Sequence, residues 1–143
     1  MKKNNTPYSR PHSVKLSFAA DFTTFAFLHG RIFYKLYNNK DWFSIPEVPG
    51  SLDVSVTQPD PRLRLHEVNA KFRVSFAELD NFNELMPYIG PGLVLSYTSA
   101  GNQVRCVGTK QEFLTMSMNE VPGFDGYEIT LIGKQSTPEG FIK

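Results

Sequence analysis

The sequence contains one cysteine, Cys106, among its 143 residues. A single thiol cannot form a disulfide within the chain, and neither a CxxC pair nor a zinc site built from several cysteines is available. The apolar neighbours Val104 and Val107 favour a small buried core residue over a reactive thiol at this position. Because a chain without disulfides suits a reducing compartment, we expect a cytoplasmic protein.

The chain also lacks a charge surplus of either sign. It has 15 basic and 14 acidic residues, a net charge of +1, and no run of five like charges. Nucleic-acid-binding proteins usually carry a clear basic surplus, because much of their affinity comes from neutralising phosphates. We therefore expect no nucleic-acid partner.

Long apolar runs are absent as well. No stretch approaches the roughly 18 residues that indicate a membrane-spanning helix. Lys2 and Lys3 resemble the basic start of a secretion signal, but residues 4–12 are polar and contain two prolines. The next apolar stretch is interrupted by Lys15 and Asp21, so no apolar signal region follows. We expect no signal peptide, no transmembrane segment and no membrane partner.

Motifs that carry common chemistry are missing too. His12, His29 and His66 lie far apart, and none belongs to an HExxH pattern. Residues 90–92 (GPG) resemble a phosphate loop only in composition, since Pro91 lacks the N–H that such a loop uses. GxSxG is absent. We expect no catalytic residue, no cofactor and no metal; the alternative is an enzyme whose carboxylates or histidines converge from distant strands.

Apolar residues, by contrast, are plentiful. They make up 41% of the chain and include 12 phenylalanines. A chain of this length fits one domain that needs no disulfide or metal to fold. Residues 1–12, which are polar and contain prolines, predict a flexible N-terminal arm. We expect a single β-rich domain over 13–135 and a loose tail over 136–143.

Strand-length runs of β-forming residues dominate the pattern. Residues 22–28 and 31–37 flank His29-Gly30, which predicts a tight hairpin. Apolar residues occur at both odd and even positions of these two runs, and therefore on both faces of each strand. We expect this hairpin to be covered on both faces, by its own fold or by a partner. The clearest strand is 68–76, where Val, Ala and Phe alternate with polar residues.

One helix is expected, at about residues 76–86. Ser75 and Glu78 have the spacing of a capping box, an apolar stripe follows, and Pro87 should end the helix. With about nine or ten strands and frequent Gly/Pro turns, the pattern predicts a mainly β fold. We expect a β-sandwich or small barrel of antiparallel strands with this one α-helix packed against it.

An aromatic group surrounds the polar turn at residues 38–41. Tyr34, Tyr37, Trp42 and Phe43 are candidate binding residues, because flat aromatic faces stack on sugar rings while the polar turn residues bind hydroxyls. This group makes a carbohydrate-binding module centred on Trp42 an alternative function. The competing interpretation is ordinary packing of the core and hairpin.

The C-terminal half resembles small β-rich structural proteins encoded in phage and prophage tail modules. The similarity lies in the order of a strand, a capped helix, a Gly/Pro turn, a hairpin and short motifs at residues 71–76 (KFRVSF), 107–109 (VGT), 123–127 (GFDGY) and 132–135 (IGKQ). The resemblance implies a non-catalytic structural or assembly protein, tail-associated and incorporated into a particle. Its protein partners would be further copies of itself or co-encoded assembly proteins. The arm and the hairpin of residues 22–37 are the candidate assembly elements.

Overall fold

The computed structural model describes residues 10–76, 84–138 and 140–142. Short 3-10 helices occur at Ala19–Asp21 and Met86–Tyr88. None of the helices in these three ranges is long and apolar enough to cross a membrane. The described strands are His12–Phe18 (β1), Phe22–Leu28 (β2), Arg31–Leu36 (β3), Phe43–Ser44 (β4), Asp53–Thr57 (β5), His66–Ser75 (β6), Leu93–Thr98 (β7), Val104–Val107 (β8), Thr115–Glu120 (β9), Gly126–Gln135 (β10) and Gly140–Ile142 (β11).

The strands form two sheets. Sheet A has seven strands in the order β2-β3-β11-β8-β7-β1-β4, and sheet B has four in the order β5-β6-β10-β9. Neighbouring strands are antiparallel except β3 and β11, which run parallel. The expected mainly β fold of antiparallel strands is confirmed, and of the two expected forms, sandwich or small barrel, the two sheets correspond to the sandwich.

The main core lies between the two sheets, because each sheet places alternate apolar residues on its inner face. Strand β6 shows the alternation most clearly: Val68, Ala70, Phe72 and Val74 are all buried, and their polar neighbours face outward. The same core includes Leu16 of β1, together with Leu93 and Leu95 of β7, Val107 of β8, and Ile129 and Leu131 of β10.

A second apolar cluster lies on the opposite face of sheet A. Val94 alternates with Leu93 and Leu95 along β7, so its side chain leaves the main core and joins Cys106, Phe22 and Ile32. The hairpin of β2 and β3 supplies most of the remaining cover, through Phe25, Phe27, Tyr34 and Leu36. The fold thus uses the Phe-rich N-terminal half to cover the second face of this sheet.

Most of the helix predicted at about residues 76–86 falls on 77–83, which lie outside the described residues. At its C-terminal end Leu85 is fully buried in the main core. Pro87 lies within the 3-10 helix Met86–Tyr88. Phe76, expected on the inner face of its strand, follows the end of β6 and is 45% exposed.

Both termini of the expected domain need adjustment. The loose tail predicted over 136–143 contains β11, which inserts between β3 and β8. Gly140 permits this close approach, because a Cβ there would meet the Ile32 side chain at 2.5 Å. At the other end β1 begins at His12, the last residue of the predicted arm. Residues 1–9 lie outside the described part of the chain.

Candidate interaction surface

The hairpin of β2 and β3 is set by its two-residue turn. His29 and Gly30 have φ angles of 53° and 77°, the positive values that a tight turn between twisted strands requires. Glycine adopts this conformation without strain, and histidine is among the residues that reach it more readily than most. The turn places Leu28 opposite Arg31 and fixes a regular register back to Thr24 opposite Lys35.

The inner face of this hairpin is a packed aromatic cluster around Phe22. Its ring lies edge-on to those of Phe25, Tyr34 and Trp42, at centroid distances of 5.1, 5.8 and 5.7 Å. Trp42 donates its indole N–H to the Tyr34 hydroxyl at 3.0 Å. Edge-to-face pairs of this kind add to the stabilisation from burial alone. The cluster therefore attaches the hairpin firmly to the rest of sheet A.

The outer face of the hairpin is apolar and exposed. Leu28 is 55% exposed and Phe33 is 52% exposed, and Ala26, directly opposite Phe33, is exposed as well. We call Ala26, Leu28 and Phe33 the hairpin outer face. The sequence predicted cover on both faces of this hairpin, by its own fold or by a partner, and the described residues supply it on the inner face. Exposed apolar side chains that adjoin one another mark interaction sites more often than scattered ones do.

Strand β2 is also an edge of sheet A, with β3 as its one neighbour among the described strands. Its seven residues, and the turn after them, contain no Asp, Glu, Lys or Arg. The other described edges differ: β4 has two residues, β5 carries an exposed Asp53, and β9 ends at an exposed Glu120. Short edges and edge charges are the devices that discourage pairing with another chain, and β2 lacks both.

The four predicted binding residues do not form one platform. Tyr34 and Trp42 are in contact, with ring centroids 5.6 Å apart, and both are partly buried in the second cluster. Phe43 instead packs against the main core, where its ring stacks on Tyr88 at 5.0 Å. Tyr37 is 55% exposed beyond the end of β3. The structure brings two of the four together and points the others elsewhere.

Polar hollows lie elsewhere on the surface. One, of about 570 Å³, is on the outer face of sheet B, where Glu67 and Lys134 are opposite one another and 3.9 Å apart. Another, of about 510 Å³, lies beside the hairpin turn and is lined by His29, Arg31 and neighbours that include no carboxylate. Within the described ranges, no three His, Cys, Asp or Glu side chains group as metal ligands.

The acidity of buried Cys106 and of half-buried Tyr88 is shifted. Desolvation raises the pKa of the Cys106 thiol well above its usual value, so the thiol stays protonated and unreactive. Burial, assisted by the negative charge of Asp21, raises the pKa of Tyr88. Tyr88 is held between Phe18 and Phe43, with its ring stacked on Phe18 at 4.5 Å. Both groups are core components, and neither faces the hairpin outer face.

Comparisons of the chain with protein-family models, with curated proteins and with solved structures found no match. Sequence reasoning named the hairpin of residues 22–37 as a candidate assembly element but did not single out Ala26, Leu28 and Phe33. The sequence signal for this apolar outer face was that apolar residues occur at both odd and even positions of the two strands. Pattern alone could not tell which parity the fold covers, because both contain phenylalanine.

Proposed function

We propose that this chain is a structural subunit that works through protein–protein contacts made by the β2–β3 hairpin. The supporting observation is the combination of an uncharged edge strand with an exposed apolar face on the same hairpin. Each feature is a liability for a chain that stays alone in solution, and both are useful to a chain that is completed by a neighbour. The inner aromatic cluster attaches this surface to the rest of sheet A.

The first test of this function is a mass measurement on wild type and two matched variants. Phe33 and Ile132 are each 52% exposed on the outer face of a sheet, but only Phe33 belongs to the hairpin outer face. We expect wild type to form oligomers by multi-angle light scattering, or to capture a purified co-encoded protein. Phe33→Ser should weaken that contact, and Ile132→Ser should leave it unchanged.

A strictly monomeric wild type at millimolar concentration, with no co-encoded protein captured, would contradict the proposed function. Equal effects of the two serine variants would place the contact on another surface. Circular dichroism of both variants controls for loss of fold. These outcomes separate a missing interaction from an interaction located elsewhere.

The finer part of the proposal is that the subunit belongs to a phage-type tail assembly. Its support is the resemblance of residues 71–135 to small tail-module proteins, together with a fold built almost entirely of sheets. The observation that tests it is the set of genes flanking this one. Phage-like structural genes on either side support the assignment, and a polysaccharide-utilisation cluster contradicts it.

The carbohydrate alternative has a separate test, because Tyr37 is exposed beside the polar turn at residues 38–41. A glycan panel with wild type, Tyr37→Ala and Trp42→Ala decides it. Trp42 is partly buried and bonded to Tyr34, so Tyr37→Ala should remove a true stacking contact with less damage to the fold. No glycan-dependent signal from wild type ends this alternative.

A further inference from the structure

Strand β2 has a defined set of backbone groups that face away from its sheet. Leu28 and Arg31 flank a two-residue turn, so they form a hydrogen-bonded pair, and bonded pairs then alternate along the hairpin. Thr24 and Ala26 therefore direct their N–H and C=O groups toward β3. Phe25 and Phe27 direct theirs toward the open edge. This edge offers two residues, spaced for an antiparallel partner strand.

We infer that two copies of this chain pair through their β2 strands, antiparallel, about a two-fold axis that passes between Ala26 and Ala26 of the second copy. This inference rests on the proposed function and names its partner, strand and register. In this register Phe25 of one copy bonds Phe27 of the other, twice by symmetry, and both outward-facing residues are used. The two seven-stranded sheets become one continuous sheet across the dimer.

The backbone irregularity at the start of β2 favours the register centred on Ala26 over the register centred on Phe25. Pairing centred on Phe25 would require Thr23 to bond Phe27 of the second copy, but the regular register of β2 is broken between Phe22 and Thr24. Thr23 donates its hydroxyl to the Lys35 carbonyl there, which holds the irregular backbone in place. Pairing centred on Ala26 uses only the regular part of the strand.

Side chains on the outer face fit the same axis. Ala26, the smallest residue of the strand, lies at the two-fold position, where side chains approach most closely. Phe33 is opposite Ala26, so one row across the joined sheet reads Phe33, Ala26 and then the same two residues of the second copy. This row joins the exposed Phe33 side chains of the two copies, through Ala26, into one apolar strip on the outer face.

Charge does not oppose the pairing. Residues 22–30 contain no Asp, Glu, Lys or Arg, so no such charges face each other across the new contact. The nearest cations are Lys35 of one copy and Arg31 of the other. They lie at opposite ends of the same cross-strand row, three strand spacings apart. That separation is about 14 Å, beyond the screening length of about 8 Å at physiological salt. Electrostatic repulsion at this distance is weak.

Cysteine crosslinking tests the register directly. Two Ala26 residues at the axis form a non-hydrogen-bonded pair with Cα atoms about 4.5 Å apart, within the range that a disulfide spans. Thr24, exposed on the same face of the same strand, lies about 13 Å from its counterpart and cannot be bridged. Under mild oxidation Ala26→Cys should give a crosslinked dimer, at least about tenfold more than Thr24→Cys.

The native Cys106 is buried and 1% exposed, so wild type should not crosslink and serves as the blank. Crosslinking of Ala26→Cys alone supports the inference. Equal crosslinking of Ala26→Cys and Thr24→Cys would show that the proposed register is wrong. If neither variant crosslinks while wild type still measures as an oligomer, the β2 pairing is wrong and the proposed function stands. A monomeric wild type that captures no co-encoded protein would contradict both the β2 pairing and the proposed function.

A charge variant tests the same contact without oxidation. Ala26→Lys places two like charges directly opposite each other at the axis, and we expect at least about a tenfold weaker dimer by analytical ultracentrifugation. Ser117→Lys is the matched control, since Ser117 is exposed on β9, an edge strand of sheet B. The control should dimerise like wild type. A dimer that tolerates Ala26→Lys as well as Ser117→Lys overturns the inference.

Discussion

Gln135 shows how a single buried polar side chain can hold separate segments together. It is 2% exposed at the end of β10. Its side-chain carbonyl accepts the Gly108 N–H at 2.7 Å, and its amide nitrogen donates to the Thr137 and Pro138 carbonyls at 2.7 and 3.1 Å. These bonds position the backbone just before β11. The turn after β8 is thereby joined to the chain that leads into the C-terminal strand.

Replacing Gln135 by leucine should be strongly destabilising. The change leaves the Gly108 N–H and two carbonyls without their partner, and each buried unpaired group costs about 1–3 kcal/mol. Allowing for relaxation and water entry near the surface, we expect the free energy of unfolding to fall by about 2–4 kcal/mol. Urea unfolding of Gln135→Leu measures it.

The exposed Gln103 provides the control, and Gln103→Leu should change stability by less than about 0.5 kcal/mol. A loss for Gln135→Leu as small as that of the control would mean that the three hydrogen bonds contribute nothing net. Because both variants exchange the same two residue types, differences in the unfolded state largely cancel.

At the scale of elements, the pairing of β6 with β10 is the longest in the fold, running from Gly126 opposite Ser75 to Gln135 opposite His66. The alternation of β6 was readable in sequence, and its inner residues are buried as that alternation predicts. The need for glycine at position 126 could not be predicted from the sequence. A Cβ there would lie 2.2 Å from the Val74 carbonyl oxygen, so the end of this pairing requires glycine.

Gly126→Ala should therefore destabilise the sandwich by at least about 2 kcal/mol, because a backbone oxygen cannot move aside without disturbing the ladder. Gly101→Ala is the comparison, since a Cβ at Gly101 meets nothing closer than the Ser99 hydroxyl at 3.8 Å. Thermal unfolding of the two variants should show a clearly lower midpoint for Gly126→Ala alone. Similar midpoints would show that the strand end adjusts freely.

For the whole molecule, β7 connects the two apolar clusters. Leu93 and Leu95 face the main core, and Val94 faces the second cluster, so neither cluster can lose its packing without disturbing the same strand. Lys110 adds a further link, by donating to the Phe22 carbonyl at the start of β2. We expect the hairpin and the sandwich to unfold as one cooperative unit, as most domains of this size do.

Trp42, the one tryptophan, makes this expectation measurable. Its ring lies in the second cluster, so its fluorescence reports on the hairpin, and far-ultraviolet circular dichroism reports on both sheets. The two signals should give the same midpoint and slope in urea. An earlier fluorescence transition would show that the hairpin opens first, and the two clusters would then be independent.

Much of the fold was determined by the sequence alone, for local physical reasons. Alternating apolar residues in β6, glycine in the hairpin turn and the abundance of β-forming residues each depend on neighbours a few positions away. They specified a mainly β domain, the β2–β3 hairpin and a buried Cys106. The absence of disulfide frameworks also follows from composition, because a single thiol cannot form one.

Tertiary structure decided which apolar residues stay exposed. Phe25 and Phe33 lie on neighbouring strands of one Phe-rich hairpin, yet the first joins the second cluster and the second faces solvent. Likewise β11 becomes a strand because β3 and β8 leave a gap that Gly140 can enter. These outcomes depend on contacts between segments far apart in the chain, so local pattern carries no record of them.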